Sequence, residues 1–362
     1  MTQAGRFWQR LTEGHSLGTL WLDFRREARS SFESSSAALG PGASEARGWH
    51  RVWVFARAMF FRLTPARRVL LLVAIVLVLS FDAQQQGDEG KIQSRGGAPI
   101  LGAACLLVLL GLEVADRVAL KRDLEVARDI QKWLVPATPP TIPGLDIAFR
   151  TRPANTVAGD YYDVIPMAGE EAAVLLVVAD VAGKGIPAGL LMACFRSCLR
   201  TLIAAGHDLA GLISRLNRFC CTDSYGGRHF TTAFLASWDA AASTLRYINA
   251  GHNPPLLRRA AGGILPLETG GLPCGTFADA VYDTGRVEIA PGDLLVIYTD
   301  GVVEAENESG GEYGLDRLME FVRTAISSAE GIQQQLFASI DAFTGKAPQH
   351  DDVTCMIVQF AG

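Results

Sequence analysis

A chain of 362 residues that is 49% hydrophobic and 20% charged can bury one sizeable globular domain and still carry an appended region, which excludes an intrinsically disordered protein. The net charge of -5 hides an asymmetry, because residues 1–68 hold eleven Arg against five acids and the remainder is strongly acidic. Seven cysteines, an odd number with neither disulfide spacing nor a completed zinc set, point to reduced thiols in a cytosolic setting.

Residues 1–66 form a basic cytoplasmic segment, partly disordered. Near its end Arg side chains are interleaved with Trp49, Trp53, Phe55, Phe60 and Phe61, a mixture that suits anionic lipid. No nucleic-acid motif occurs. Two apolar runs follow, Val69 to Phe81 and Pro99 to Leu112, each shorter than the roughly 20 residues of a comfortable span. Arg67 and Arg68 precede the first run, and Arg117, Lys121 and Arg122 follow the second. Positive charge on both outer flanks predicts a short membrane hairpin over residues 67–115, with both termini in the cytoplasm of a bacterial inner membrane.

From Asp116 to Val135 there is no Gly or Pro, and charges alternate with Leu120, Leu124, Ala127, Ile130, Trp133 and Leu134. That pattern predicts a linker helix, within a linker region 116–143, whose apolar stripe packs on the next domain or pairs with a second copy in a homodimer. Pro136, Pro139 and Pro140 end it. Residues 144–362 then change to short apolar strands, at 172–179, 231–238, 244–249, 293–298 and 353–360. Between them lie helical stretches at 186–202, 209–221, 315–325 and 331–343. Strand clusters interrupted by helix pairs predict an α+β sandwich with sheets inside and helices outside.

The chemical signal is four acidic sites, most of them at a strand end: Gly159-Asp160-Tyr161-Tyr162-Asp163, Ala179-Asp180-Val181, Thr299-Asp300-Gly301 and His350-Asp351-Asp352. Carboxylates gathered at one sheet edge repel one another unless a divalent cation neutralises them. All-oxygen ligands favour Mg²⁺ or Mn²⁺ over zinc. Because side chains alternate along a strand, adjacent Asp351 and Asp352 cannot both face one site, nor can Asp160 and Asp163.

GDYYD, ADVAGKGIPAGLLMA, INAGHNPPLL, GDLLVIYTDGVVEAEN and HDDVT, in this order over about 220 residues, resemble the PPM-type metal-dependent phosphatases. The match is to the bacterial SpoIIE-like branch that includes RsbU-type regulators, and ARDIQKWLVP resembles the regulatory helix that leads into its catalytic domain. The resemblance implies a β-sandwich flanked by helix pairs and a centre of two Mn²⁺ or Mg²⁺ ions. Asp180 would bridge the ions, the Val181 carbonyl would complete one site, and Asp300 with Asp351 would close the other. Asp160 would hold a water or an ion directly. It further implies hydrolysis of phosphoserine or phosphothreonine on a STAS-type anti-sigma-factor antagonist. Asp163 and Asp352 are assigned supporting roles. Lys184, placed where the eukaryotic branch has the last Gly of DGHGG, either contacts phosphate or is simply solvated. The His of that motif is replaced by Ala182. His252 and His350 read as structural. A pseudophosphatase that signals by binding alone would have lost an acidic ligand, and none is missing.

Overall fold

The computed structural model describes residues 63–85, 97–167, 173–223 and 229–361, together with Arg57, Phe60 and Phe61. Most of the basic segment, including Trp49, Trp53 and Phe55, lies outside the described residues, as does the middle of the hairpin connection. The chain divides into two compact units, Met1–Ala119 and Leu120–Gly362.

In the first unit, helix α1 covers Pro65–Gln85, and helix α2 begins at Gly97 and runs without interruption to Leu134. The apolar run and the linker are thus one helix, because nothing between Pro99 and Pro136 breaks it. At Gly102 α2 lies against α1. A Cβ there would stand 2.8 Å from Val78 Cγ2 and 3.0 Å from the Ala74 carbonyl oxygen, so only Gly admits the contact. Arg67 clasps the pair through Asp116 at 2.6 Å and Glu113 at 3.3 Å. Val69, Leu72, Leu79, Leu101, Leu107 and Val108 are exposed. Among the described residues, the one helix whose length and apolarity suit a membrane span is Ile186–Ala204. Its buried row of Ala188, Met192, Phe195 and Leu199 makes it a core helix of the second unit.

That unit is a four-layer sandwich. One sheet holds β1 (Leu145–Arg152), β11 (Val353–Phe360), β10 (Leu294–Tyr298), β6 (Leu256–Arg258) and β7 (Ile264–Pro266), in that order. The other holds β2 (Tyr161–Pro166), β3 (Ala173–Val181), β4 (Thr231–Asp239), β5 (Thr244–Ala250) and β8 (Gly270–Gly271), with β9 (Gly285–Glu288) also paired to β5. Every pairing is antiparallel except β5 with β8. Helices α3 (Ile186–Ala204) and α4 (Leu209–Asp223) cover the second sheet. Helices α6 (Leu315–Thr324) and α7 (Ala329–Thr344) cover the first.

Strand β3 shows why the apolar runs are continuous. Val174, Leu176 and Val178 point into the layer between the sheets, while Leu175, Val177 and Ala179 point at the helices. Both faces are buried, so no polar alternation survives. The α+β sandwich expected from the sequence is the architecture observed. Strand β1, which carries Arg150 and Arg152, and the short strands β6 to β9 had no clear sequence pattern.

Candidate metal centre

Strand parity sorts the acidic residues. Tyr162 and Val164 in β2, and Val174, Leu176 and Val178 in β3, enter the layer between the sheets. Asp160 and Asp180 continue these rows and leave their strands on the same side. Asp163 shares its row with Tyr161 and Ile165, which face the helices. There its carboxylate accepts hydrogen bonds from Tyr161 Oη at 2.5 Å and from Arg200 Nη2 at 2.6 Å and Nε at 3.1 Å. The structure therefore brings Asp160 to the carboxylate cluster and turns Asp163 away from it.

In β11, Met356 and Val358 face between the sheets, and Asp352 continues that row into the turn before the strand. Both of its oxygens are committed: Oδ1 accepts from Ala154 N and Oδ2 from Gly159 N, each at 2.7 Å. Asp352 thereby ties down the loop that carries Asp160. Asp351, on the other row, is half-buried and accepts from Lys184 Nζ at 2.9 Å. The same ammonium donates to the His350 carbonyl at 2.6 Å, so Lys184 is held on the protein and is not free in solvent.

Two glycines allow these turns to touch. A Cβ on Gly159 would lie 3.0 Å from the Val181 carbonyl oxygen and 3.7 Å from Asp180 Oδ1. A Cβ on Gly301 would lie 2.2 Å from the Asp352 carbonyl oxygen, which no side chain could tolerate. Asp300 opens the short helix α5 (Asp300–Val303) beside that contact. Asp160 is buried, and its Oδ2 accepts from Thr299 Oγ1 at 3.0 Å.

Burial, followed by the charges of Asp180 and Asp352, raises the Asp160 carboxyl well above the ordinary range. Asp180 is pushed up to about 7 by burial and then by Asp300, Asp351 and Asp352. Asp300 is raised by burial and then by Asp351, and Asp352 is raised chiefly by burial. Asp160, Asp180, Asp300 and Asp352 are each raised in part by neighbouring carboxylates, and Lys184 pulls Asp300 back down. Such a donor set fits a hard divalent cation. Among the described residues no group of three or more His, Cys, Asp or Glu is arranged to hold an ion by side chains alone.

The remaining candidates are structural. His252 is buried, its Nδ1 pairs with Thr232 Oγ1 at 2.9 Å, and burial lowers its ring to about 4. Cys194 and Cys198 lie on α3, and the cysteines are free thiols. Burial pushes the Cys274 and Cys355 thiols up to about 12, the opposite of an activated nucleophile. Two residues that position the cluster, Thr299 and Gln131, sit inside motifs, while Arg200, which holds Asp163 away from it, lies 37 residues from Asp163 with nothing to connect them. Gln131 on α2 pairs twice with Ala158, accepting from its N–H at 2.9 Å and donating to its carbonyl at 2.6 Å. A cavity of about 920 Å³ runs between this part of α2 and the 151–158 loop and reaches Asp160.

Residues 170–361, just over half the chain, match the family model for Stage II sporulation protein E (SpoIIE). The chain belongs to the SpoIIE family. The SpoIIE match takes in Asp180, Asp300, Asp351 and Asp352, and begins after Asp160 and Asp163. Protein IcfG of Synechocystis is 29% identical over 306 residues, 76% of this chain and 47% of IcfG, so this chain spans about half the length of that relative. Phosphoserine phosphatase RsbU of Bacillus subtilis is 28% identical over 243 residues, covering 66% of this chain and 70% of RsbU. Among solved structures, the PP2C domain of SiaA from Pseudomonas aeruginosa superimposes with a TM-score of 0.60 at 22% identity. It covers 68% of this chain and 99% of that domain, which establishes the fold. The RsbU and RsbW domains of Rv1364c from Mycobacterium tuberculosis give a TM-score of 0.51 at 25% identity, over 63% of each chain.

Proposed function

We propose that this SpoIIE-family chain is a membrane-anchored, metal-dependent protein serine/threonine phosphatase acting on a phosphorylated regulatory protein of STAS type. The observation that carries the reading is the convergence of Asp160, Asp180, Asp300, Asp351 and Asp352, whose mutual repulsion calls for divalent cations. The names of RsbU and RsbP as phosphoserine phosphatases support the reaction. The STAS class of substrate follows from the resemblance to RsbU-type regulators.

In this reading Asp180 and the Val181 carbonyl, with Asp300 and Asp351, hold two Mn²⁺ or Mg²⁺ ions, and Asp160 orients a water beside Asp180. Ions bound there would lower the pKa of a water and offset charge on the phosphoryl oxygens. Asp352 fixes the Asp160 loop through Ala154 and Gly159. Lys184 holds Asp351 and places a positive charge at the rim, where a phosphoryl group would arrive.

The membrane reading rests on the Arg and Lys flanks and on the exposed apolar side chains of α1 and α2. The domain limits follow it: a basic segment to residue 66, the hairpin to 115, the linker to 143 and the catalytic domain from 144. The catalytic domain then lies in the cytoplasm, and lipid is a partner of the hairpin. A homodimer would form through the linker helix, where Val126, Ile130 and Trp133 are exposed in one row.

Asp180→Asn and Asp300→Asn should each lower Mn²⁺-stimulated hydrolysis of a phosphorylated STAS-domain protein by orders of magnitude while the fold persists. Near wild-type turnover by either folded variant would remove the assignment.

A further inference from the structure

We infer that Thr299 is a positioning residue whose hydroxyl proton fixes Asp160 in the orientation the metal centre requires. The inference rests on the two-metal reading above and adds to it a residue outside the acidic set. Thr299 is the N-cap of α5, with extended backbone angles of φ -86° and ψ 163°. A Thr in that place ordinarily turns its oxygen onto an N–H of its own helix. Here the side chain makes no such cap. The local rule is broken, and the hydroxyl is spent elsewhere.

Where it is spent can be worked out from its neighbours. Thr299 Oγ1 accepts from Thr354 N at 3.1 Å, which leaves its single proton to donate. Three acceptors lie within reach: Asp160 Oδ2 at 3.0 Å, the Asp352 carbonyl at 3.3 Å and the Thr354 carbonyl at 3.5 Å. The shortest of these goes to the one acceptor that is charged once an ion is bound, and a bond to a carboxylate is about twice as strong as one to a neutral carbonyl. The proton therefore belongs to Asp160. Thr299 is fully buried, so no water can take over the bond.

The geometry also explains the direction in which Asp160 points. Thr299 directly follows β10 and Thr354 lies in β11, so the contact joins the first sheet to the residue just before β2 in the second. Asp160 and Asp180 stand side by side at neighbouring ends of β2 and β3, so a bond to Oδ2 from the first sheet fixes the Asp160 carboxylate beside Asp180. Thr354 extends the chain by donating its own hydroxyl to Thr151 Oγ1 at 2.7 Å. Asp160 is thus braced across the sandwich and not merely by its own loop.

The test is Mn²⁺ binding to the full-length protein in detergent, measured by calorimetry for wild type, Thr299→Val and Thr299→Ser, with metal-free melting curves to confirm folding. Thr299→Val keeps the shape and removes the proton, and should weaken binding about tenfold or more, as expected for losing a hydrogen bond to a charged group. Thr299→Ser keeps the proton and should bind within about twofold of wild type. Equal binding by the Val variant, or an equal loss in the Ser variant, would overturn the role, the second because it would implicate the methyl group. If Thr299→Val fails to fold, Thr299→Cys, whose thiol is a poor donor of similar size, replaces it, and a loss smaller than twofold overturns the role. Wild-type protein that binds no Mn²⁺ would instead remove the two-metal reading itself, and this inference with it.

Discussion

Asp180 shows what gathering the carboxylates costs. Its carboxyl is pushed up to about 7 by burial and by Asp300, Asp351 and Asp352, against about 4 for an unfolded Asp. A folded value above the unfolded one means that the metal-free fold favours the protonated form. That stability is fully present below about pH 4 and is lost as pH rises through about 7. The melting temperature of the metal-free protein should accordingly fall between about pH 5 and pH 8, and saturating Mg²⁺ should flatten the fall by replacing the proton. Melting curves in EDTA and in Mg²⁺ check this, and a metal-free protein that grows more stable over that range would contradict it. At this scale the four acidic motifs were legible because each adjoins an apolar strand, but the acids that meet come from the strand ends of both sheets and not from the edge of one. Parity also anticipated that Asp163 would part from Asp160, as its contact with Arg200 shows, whereas Asp351 and Asp352 both stand at the cluster because they lie in the turn before β11 and not in an extended strand. The partners themselves were not legible. Arg200 and Thr299 meet their carboxylates only after folding, and nothing in their spacing marks the meeting.

Helix α2 illustrates how an element can be recognised and its faces still be misread. The sequence suggested a stripe through Leu120, Leu124, Ala127, Ile130, Trp133 and Leu134. In the structure the half-buried row is Leu124, Ala127, Gln131 and Leu134, while Leu120, Ile130 and Trp133 are exposed. The difference arises because a polar residue occupies the packed face: Gln131 uses its amide to bind both backbone groups of Ala158, two residues before Asp160. Hydropathy alone cannot assign an amide to a buried row. Gln131→Ala should remove two hydrogen bonds of about 1 kcal/mol each and loosen the 153–159 loop. The Mn²⁺ concentration for half-maximal activity should rise several-fold with little change in helix content. A variant whose Mn²⁺ dependence matches wild type would show that α2 is a passive spacer. Strands β3, β4, β5, β10 and β11 were read nearly to their ends, because continuous apolar runs between turn residues leave few alternatives. Strands β6 to β9, of two to four residues each, are too short to show any period.

The whole molecule is read as a hairpin joined to a phosphatase domain, and that reading makes a topological prediction. Both termini should be cytoplasmic, with only the segment from Gln84 to Gly97 outside. Cysteines introduced at Gly87 and at Arg117 should differ, the first labelled by an impermeant reagent in intact cells and the second only after lysis. Equal labelling, or recovery of the protein in the soluble fraction after membrane pelleting, would make α1 and α2 ordinary core helices.

The place of β11 has a consequence for synthesis. This strand lies between β1 and β10, so one sheet is divided until the final stretch of the domain is in place. Asp351 and Asp352 stand just ahead of it, and Asp352 is what ties down the loop bearing Asp160. A nascent chain that has passed residue 300 already holds Asp160, Asp180 and Asp300 but cannot assemble them. Activity therefore arrives in a single step, when translation has carried β11 clear of the ribosome. A stop codon or frameshift upstream of Asp351 should leave an inert fragment instead of an unregulated phosphatase.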